Sequence, residues 1–334
     1  MPAKYLTRLL LIPAIFLLFV QTSFADITEE AQNLNEEGKK YVELGDFENA
    51  IKSFKEAIRL KPDYADAYNN IGVVFDRQGN YEKALEFYKQ AIRIDTNHFK
   101  AYFNSGMVYF NLKQNDEAIE SFKKAIEIKP AFADAFHLLG SIYLTQGNPE
   151  EALKPLEQFS KLTPNNPYAH FKLGLTYSHS QLKQYEKAIK SFKEAIKLKP
   201  DFVDAYYSLG LTYSVLKQHE KVIEVFKNII EIKPDFAEAY FKLGLAYSAQ
   251  NDPEKAIEYF KETINLNAEY VDAYYLIGLC YRDIGQYEKA LEALKKAVTL
   301  KPDFDKAFYD LGVIYHKLSQ YDNAIDSFKA AIKI

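Results

Sequence analysis

Apolar residues recur along this chain with the spacing of packed helices. In the stretch 271–302, one helical face has residues at i, i+3, i+4 and i+7: Tyr274, Ile277, Gly278 and Tyr281. The pattern breaks at 282–286, and a second apolar face then begins at Ala290 and ends before Pro302. Neither helix can bury its apolar stripe alone, so each needs the other and a neighbouring helix.

This helix pair is one copy of a motif that recurs with a period of 34 residues from Ala31 onward. A glycine occupies one position in nine successive units: Gly38, Gly72, Gly106, Gly140, Gly174, Gly210, Gly244, Gly278 and Gly312. Tyr or Phe follows each glycine by three residues, and an alanine marks the second helix in eight units. A glycine inside a helix costs about 1 kcal/mol relative to alanine. We therefore expect the two helices to approach closely there, with the alanine fitting the contact.

At these positions the chain resembles the tetratricopeptide repeat family. A representative unit carries the family pattern at Tyr206, Leu209, Gly210, Tyr213, Phe226 and Pro234. The resemblance implies an all-α fold, an α-solenoid in which antiparallel helix pairs form a right-handed superhelix with the first helices on its concave side. It also implies a non-enzymatic protein that binds a peptide or a partner protein.

The resemblance covers residues 31–334 and predicts a solenoid domain, residues 26–334, of nine repeats. Their boundaries are 31–64, 65–98, 99–132, 133–166, 167–202, 203–236, 237–270, 271–304 and 305–334. Several departures from the repeat fall within 155–184: Pro155 inside a second helix, a proline-bounded break at 164–167, and two extra residues in the next turn. These departures are consistent with sequence drift in a solenoid that tolerates it, or with a hinge between repeats one to four and repeats five to nine.

The first 25 residues follow a different pattern. Lys4 and Arg8 lead into an apolar run at 9–20, and a short polar segment with small residues follows. This pattern predicts a signal peptide, residues 1–25, cleaved before Asp26. The run is shorter than the roughly 20 residues of a membrane-spanning helix, although an uncleaved anchor is the alternative. We expect an exported protein, periplasmic or secreted, that meets a membrane only if the segment is uncleaved.

Composition and short motifs give no indication of nucleic-acid binding, catalysis or a metal site. The formal net charge is −4 and both signs alternate along the second helices, so a nucleic-acid partner, which needs a basic stripe, is not expected. GxSxG, CxxC and HExxH motifs do not occur, and the six histidines lack metal-ligand spacing. We expect no enzyme activity, cofactor or metal site. The single cysteine, Cys280, lies beside a packed face, and we expect it in the core.

The candidate binding surface is a second stripe of the first helices, about 100° round from the packed face. By the geometry of the family it faces the concave groove. The predicted partner-binding residues are Phe103, Phe171, Leu175, Tyr207, Leu211, Phe241, Leu245, Tyr275, Leu279 and Tyr309. An apolar strip in a groove indicates a ligand with apolar side chains, such as an extended peptide or an amphipathic helix. The alternative is that the aromatic residues pack between repeats, as is common in the family.

The last repeat suggests a second function. The sequence stops four residues short of a full unit, and helical arrays normally need a polar end cap. We expect its apolar face to be half buried and to self-associate through Ile325, Phe328 and Ile332. The alternative functions are therefore a self-assembling structural factor and, more weakly, a non-catalytic arm related to glycosyltransferases that contain such repeats.

Overall fold

The computed structural model describes residues 26–334, and the predicted signal peptide at 1–25 lies outside this range. The described residues form eighteen helices joined by short turns, without a strand. The prediction of an all-α chain of the α-solenoid class is therefore confirmed. Each helix packs against its neighbours in sequence within the two compact units given next.

One compact unit ends at Leu162, and the other is Thr163–Ile334. The first contains α1 (26–43), α2 (Phe47–Leu60), α3 (Ala65–Arg77), α4 (Tyr81–Ile94), α5 (Phe99–Asn111), α6 (Asn115–Ile128), α7 (Ala133–Thr145) and α8 (Pro149–Leu162). The second contains α9 (Pro167–Ser178), α10 (Tyr185–Leu198), α11 (Val203–Val215), α12 (His219–Ile232), α13 (Ala237–Ala249), α14 (Pro253–Leu266), α15 (Val271–Asp283), α16 (Tyr287–Leu300), α17 (Asp305–Lys317) and α18 (Tyr321–Lys333). The boundary falls inside the segment 155–184, and a hinge there stays a prediction.

A recurrent contact joins the two helices of each pair. The repeated glycine of the first helix lies against a large side chain of the second helix, four residues beyond the alanine position. These partners are Phe54, Tyr88, Phe122, Leu156, Phe192, Phe226, Phe260, Leu294 and Phe328. A Cβ atom added at Gly210 would lie 2.6 Å from Cε2 of Phe226, a fully buried ring. The large side chain therefore fills most of the space beside the glycine, and in repeat eight the carbonyl oxygen of Ala290 also lies 3.4 Å from a Cβ added at Gly278.

The turn inside each pair requires one residue with a left-handed backbone. Gly285 has a φ of 76°, but the corresponding Lys113 has a φ of 60°, and Asn251 a φ of 57°. A side chain in this region costs roughly 1–2 kcal/mol. The surrounding helix packing therefore holds the turn even where glycine is absent.

A backbone hydrogen bond fixes the register of each turn. In repeat eight the N–H of Gln286 donates to the carbonyl of Tyr281 at 2.9 Å. In repeat five the equivalent bond joins Gln184 to Tyr177, also at 2.9 Å, across two more residues. The extra residues thus loop out between the bonded groups, and α9 and α10 keep the pairing of the other repeats.

We predict that Gly210→Ala lowers the stability of the chain. Overpacking a buried site costs about 1–3 kcal/mol, and three atoms of the Phe226 ring within 3.2 Å of the new methyl group favour the upper end. That loss exceeds the roughly 1 kcal/mol that alanine adds to a helix. The urea midpoint measured by circular dichroism should fall.

The matched control is Val215→Ala, at an exposed position in the same helix, where the side chain is 59% exposed. Its midpoint should stay near that of the unmodified chain. A midpoint for Gly210→Ala at or above the unmodified value would contradict the packing role of the glycine.

Candidate partner-binding surface

We call the predicted partner-binding positions of the first helices the groove stripe. Their aromatic rings pack mainly within the repeat array. The ring of Tyr207 lies 5.7 Å from that of Phe226 in the same helix pair and 6.0 Å from Phe236, which precedes the next first helix. The same arrangement brings Tyr275 within 4.9 Å of Phe304. These ring contacts therefore join each helix pair to the residue just before the next first helix, which favours the alternative interpretation of the sequence.

The exposure of the aromatic residues varies along the groove stripe. Phe103, Phe171, Tyr207 and Tyr275 are half-buried, and Phe241 is only 8% exposed. Phe241 packs against both Phe260 and Tyr270, so it belongs to a core cluster and offers a ligand little surface. Tyr309 is 58% exposed and contacts Phe328.

The leucines of the groove stripe are more accessible than most of its rings. Leu211 and Leu245 are each 37% exposed, whereas Leu175 and Leu279 are half-buried. Leu211 and Leu245 lie on α11 and α13, in neighbouring repeats, and they border a hollow of about 210 Å³. Its other lining residues are Ser214, His219, Val222, Lys242, Ala246 and Ala249. The hollow is a place where an apolar side chain of a ligand could insert.

A larger hollow of about 670 Å³ lies in repeats eight and nine. It is lined by Tyr275, Leu279, Arg282, Asp305, Lys306, Tyr309, Asp310, Phe328, Ala331 and Ile332. Groove-stripe residues and two of the predicted self-association residues therefore border the same space. An occupant of one of these surfaces would affect access to the other.

A buried carboxylate organises the polar part of this larger hollow. Asp310 accepts hydrogen bonds from the hydroxyl of Tyr275 and from Nη1 of Arg282, both at 2.9 Å. Burial and then the bond to Asp310 raise the pKa of Tyr275 to about 12, so its hydroxyl stays protonated near neutral pH. The arrangement holds the Tyr275 ring in place and points part of the Arg282 side chain, 33% exposed, toward solvent.

A second carboxylate, Glu238, joins repeats six and seven. It pairs with Lys242 at 3.0 Å and accepts hydrogen bonds from the hydroxyls of Tyr270 and, at 3.4 Å, Tyr207. Burial alone would raise the pKa of Glu238, but the bonds from Tyr270 and Lys242 outweigh it and lower the pKa. Sequence reasoning missed Glu238 and Lys242 because only the fold brings them beside the groove stripe.

In repeats one and two, Asn35 and Asn69 occupy the position that Tyr207 and Tyr275 hold in later repeats, and each bonds to an asparagine of the next repeat. Asn70 donates to Asn35 at 2.9 Å, and Asn104 donates to Asn69 at 2.9 Å. Asn35 and Asn69 are 1% and 4% exposed. The asparagines therefore link consecutive repeats, in the place where rings link the later repeats. The spacing of 35 residues in each bonded pair is the sequence signal that could have revealed them.

The predicted self-association residues lie on α18. Ile325 is 50% exposed, Ile332 is 85% exposed and Phe328 is half-buried against Gly312. The residues at the place of Ile325 in the two preceding repeats, Leu291 and Ile257, are only 8% and 6% exposed. The same type of helix face is thus covered in those repeats and open on α18.

Other chemistry is sparse among residues 26–334. Cys280 is buried, and burial raises the pKa of its thiol to about 11, so the thiolate that a nucleophile requires is disfavoured. Within that range we find no group of three or more His, Cys, Asp and Glu side chains placed to bind a metal ion. No helix of the same range has the length and apolarity to cross a bilayer.

Models of the tetratricopeptide repeat match most of the chain. A model described as "TPR repeat" matches residues 38–79, 106–147, 140–180, 178–214 and 278–319. Models described as "Tetratricopeptide repeat" match residues 65–98, 87–120, 203–236 and 305–334. A model described as "Anaphase-promoting complex, cyclosome, subunit 3" matches residues 225–297. No curated protein sequence matches the chain.

Several solved structures are similar to parts of the chain. A crystal structure of YrrB, titled a TPR protein with an unusual peptide-binding site, is 28% identical, covers 59% of this chain and 97% of its own, and has a TM-score of 0.51. A crystal structure of MamA is 32% identical over 48% of this chain and 93% of its own, with a TM-score of 0.46. MamA from Desulfovibrio magneticus RS-1 is 26% identical over 52% and 97%, with a TM-score of 0.48.

Proposed function

The chain belongs to the tetratricopeptide repeat family, and we propose that it is a non-enzymatic scaffold that binds a peptide segment of a partner protein along the groove stripe. The observation that carries the proposal is the pair Leu211 and Leu245, each 37% exposed beside a hollow of about 210 Å³. The similarity to YrrB, whose title names a peptide-binding site, supports the same class of ligand.

The ligand that fits this surface has apolar side chains. The leucines supply apolar contact area, and the half-buried ring of Tyr207, on the same helix as Leu211, is held by Phe226. A surface that is already ordered loses little conformational entropy on binding. Lys242, whose side chain is 23% exposed, adds a positive charge at the edge of the hollow. An extended peptide or an amphipathic helix meets these requirements.

We predict that the double variant Leu211→Asp, Leu245→Asp weakens peptide binding at least tenfold. A ligand can bury only the 37% of each leucine that is exposed, so each substitution removes roughly 0.5–1 kcal/mol of apolar contact and also places a carboxylate in the interface. Together the two changes exceed the roughly 1.4 kcal/mol that corresponds to a factor of ten. Peptides would first be selected from a random library on the chain 26–334. Fluorescence anisotropy would then give their dissociation constants.

The matched control is Leu112→Asp with Leu266→Asp, which changes two leucines that are 42% and 43% exposed outside the groove stripe. It should leave binding within twofold of the unmodified chain. Melting curves would check that both double variants are folded. Equal affinity of the groove variant and the unmodified chain would refute the proposed site.

We also propose that the scaffold is exported and acts in a periplasm or outside the cell. The charged start and the apolar run at 9–20 support export. Mass spectrometry of the chain expressed in a bacterial host should find a mature N-terminus at Asp26 in the envelope fraction. The variant Leu17→Arg, which interrupts the apolar run, should remain uncleaved. A full-length chain in both cases would contradict cleavage.

A second candidate function is self-association through α18, with a second copy of the chain as the occupant. Its support is the open face at Ile325 and Ile332, because first helices of this same chain cover the equivalent residues Leu291 and Ile257. Sedimentation of the chain 26–334 should show a dimer or larger species. The variant Ile325→Glu, Ile332→Glu should be monomeric, and a monomeric unmodified chain at tens of micromolar would refute this candidate.

A further inference from the structure

A separate hollow of about 720 Å³ opens between the second helices α14 and α16, with the first helix α15 at its base. Its lining residues are Lys261, Ile264, Tyr274, Ile277, Tyr281, Lys289, Glu292, Ala293, Lys295, Lys296 and Thr299. None of them lines the hollows of about 210 Å³ and 670 Å³ that the groove-stripe residues border. The surface is therefore distinct from the one proposed for the peptide above.

The hollow lies beside a small residue, Ala293, at a position where two other repeats carry a stacked ring. In repeat seven, Tyr259 stacks on Tyr247 with ring centroids 5.2 Å apart and planes at 5°. Phe87 stacks on Phe75 in the same way in repeat two, at 5.5 Å and 16°. The corresponding residues of repeat eight are Ala293 and Tyr281.

The methyl group of Ala293 cannot cover the Tyr281 ring as the rings of Tyr259 and Phe87 cover their partners. The space that an aromatic side chain would fill is consequently part of the hollow, which Ala293 and Tyr281 both line. An external ring that entered it would find the geometry that the chain itself uses twice. Stacked rings contribute about 0.5–1.5 kcal/mol beyond their buried area.

Positive charge surrounds the open ring. The Nζ atoms of Lys261 and Lys289 lie 5.7 Å and 5.5 Å from the Tyr281 ring centroid. Lys295 and Lys296 also line the hollow, and Glu292 is the one acidic residue among its lining residues. The polar partner of the Lys289 ammonium group is the neutral side chain of Gln286, at 2.8 Å. The rim therefore favours carboxylates over cations.

We propose that this hollow binds an acidic peptide segment whose aromatic side chain stacks on Tyr281. The ring occupies the space that Ala293 leaves, against Ile264 and Ile277. Carboxylates on either side of the aromatic residue pair with Lys261 and Lys289. The chain thus carries a second recognition site on its second-helix face, specific for aromatic residues flanked by negative charge.

The probe is the fluorescein-labelled peptide EDFDE, titrated with the chain 26–334 in low-salt buffer and followed by anisotropy. The peptide EDADE should bind at least fivefold more weakly, because it lacks the ring. The variant Ala293→Tyr should weaken EDFDE at least tenfold, because its own side chain fills the hollow as Tyr259 does in repeat seven. Raising the salt to 0.5 M should also weaken binding, since the Debye length shortens.

The double variant Lys261→Glu, Lys289→Glu provides a test that does not depend on packing, and it should weaken EDFDE at least tenfold. Its matched control is Lys190→Glu with Lys193→Glu, which makes the same change in charge at two exposed lysines on α10. The affinity of this control for EDFDE should stay within twofold of that of the unmodified chain. Melting curves would establish that each variant is folded. Equal binding of EDFDE and EDADE, or unchanged binding by the Lys261 and Lys289 variant, would overturn the proposal.

Discussion

The contact between a helix glycine and a buried side chain of the partner helix underlies every repeat of this chain. Because no Cβ intervenes, the Phe226 ring can lie where a methyl group at Gly210 would be 2.6 Å away. This contact sets the distance between α11 and α12, and hence the direction of every other side chain on them. Because the glycine contact fixes the helix pair, the groove-stripe residues take the same place in successive repeats.

Contacts between repeats are a second constraint, and their chemistry changes along the chain. In the unit ending at Leu162, the amides of Asn35 and Asn69 bond to asparagines of the next repeat. In later repeats, the hydroxyls of Tyr207 and Tyr275 donate hydrogen bonds to Glu238 and Asp310 of the following repeat. A side chain that packs between repeats has less exposed surface to offer a ligand. This explains why Leu211 and Leu245 are more accessible than most of the rings of the groove stripe.

The two proposed recognition surfaces depend on the residues at two positions of the repeat. A half-exposed leucine at Leu211 or Leu245 turns a packed stripe into an apolar contact surface. An alanine at Ala293 opens a space that Tyr259 closes one repeat earlier. A tandem array thus allows a binding site to arise where a repeat carries a small residue, because the neighbouring repeats still hold the helices in place.

The sequence by itself determined the helical class, the family and the helix pairing, because the 34-residue period repeats the same packing choices nine times. It also located the groove stripe, since helical periodicity separates the faces of a helix. Only the tertiary structure decided that Phe241 is core, that the Phe226 ring fills the space beside Gly210, and that Glu238 accepts hydrogen bonds from two tyrosines. Burial depends on what the neighbouring repeat places against a side chain, and periodicity within one helix carries no information about that.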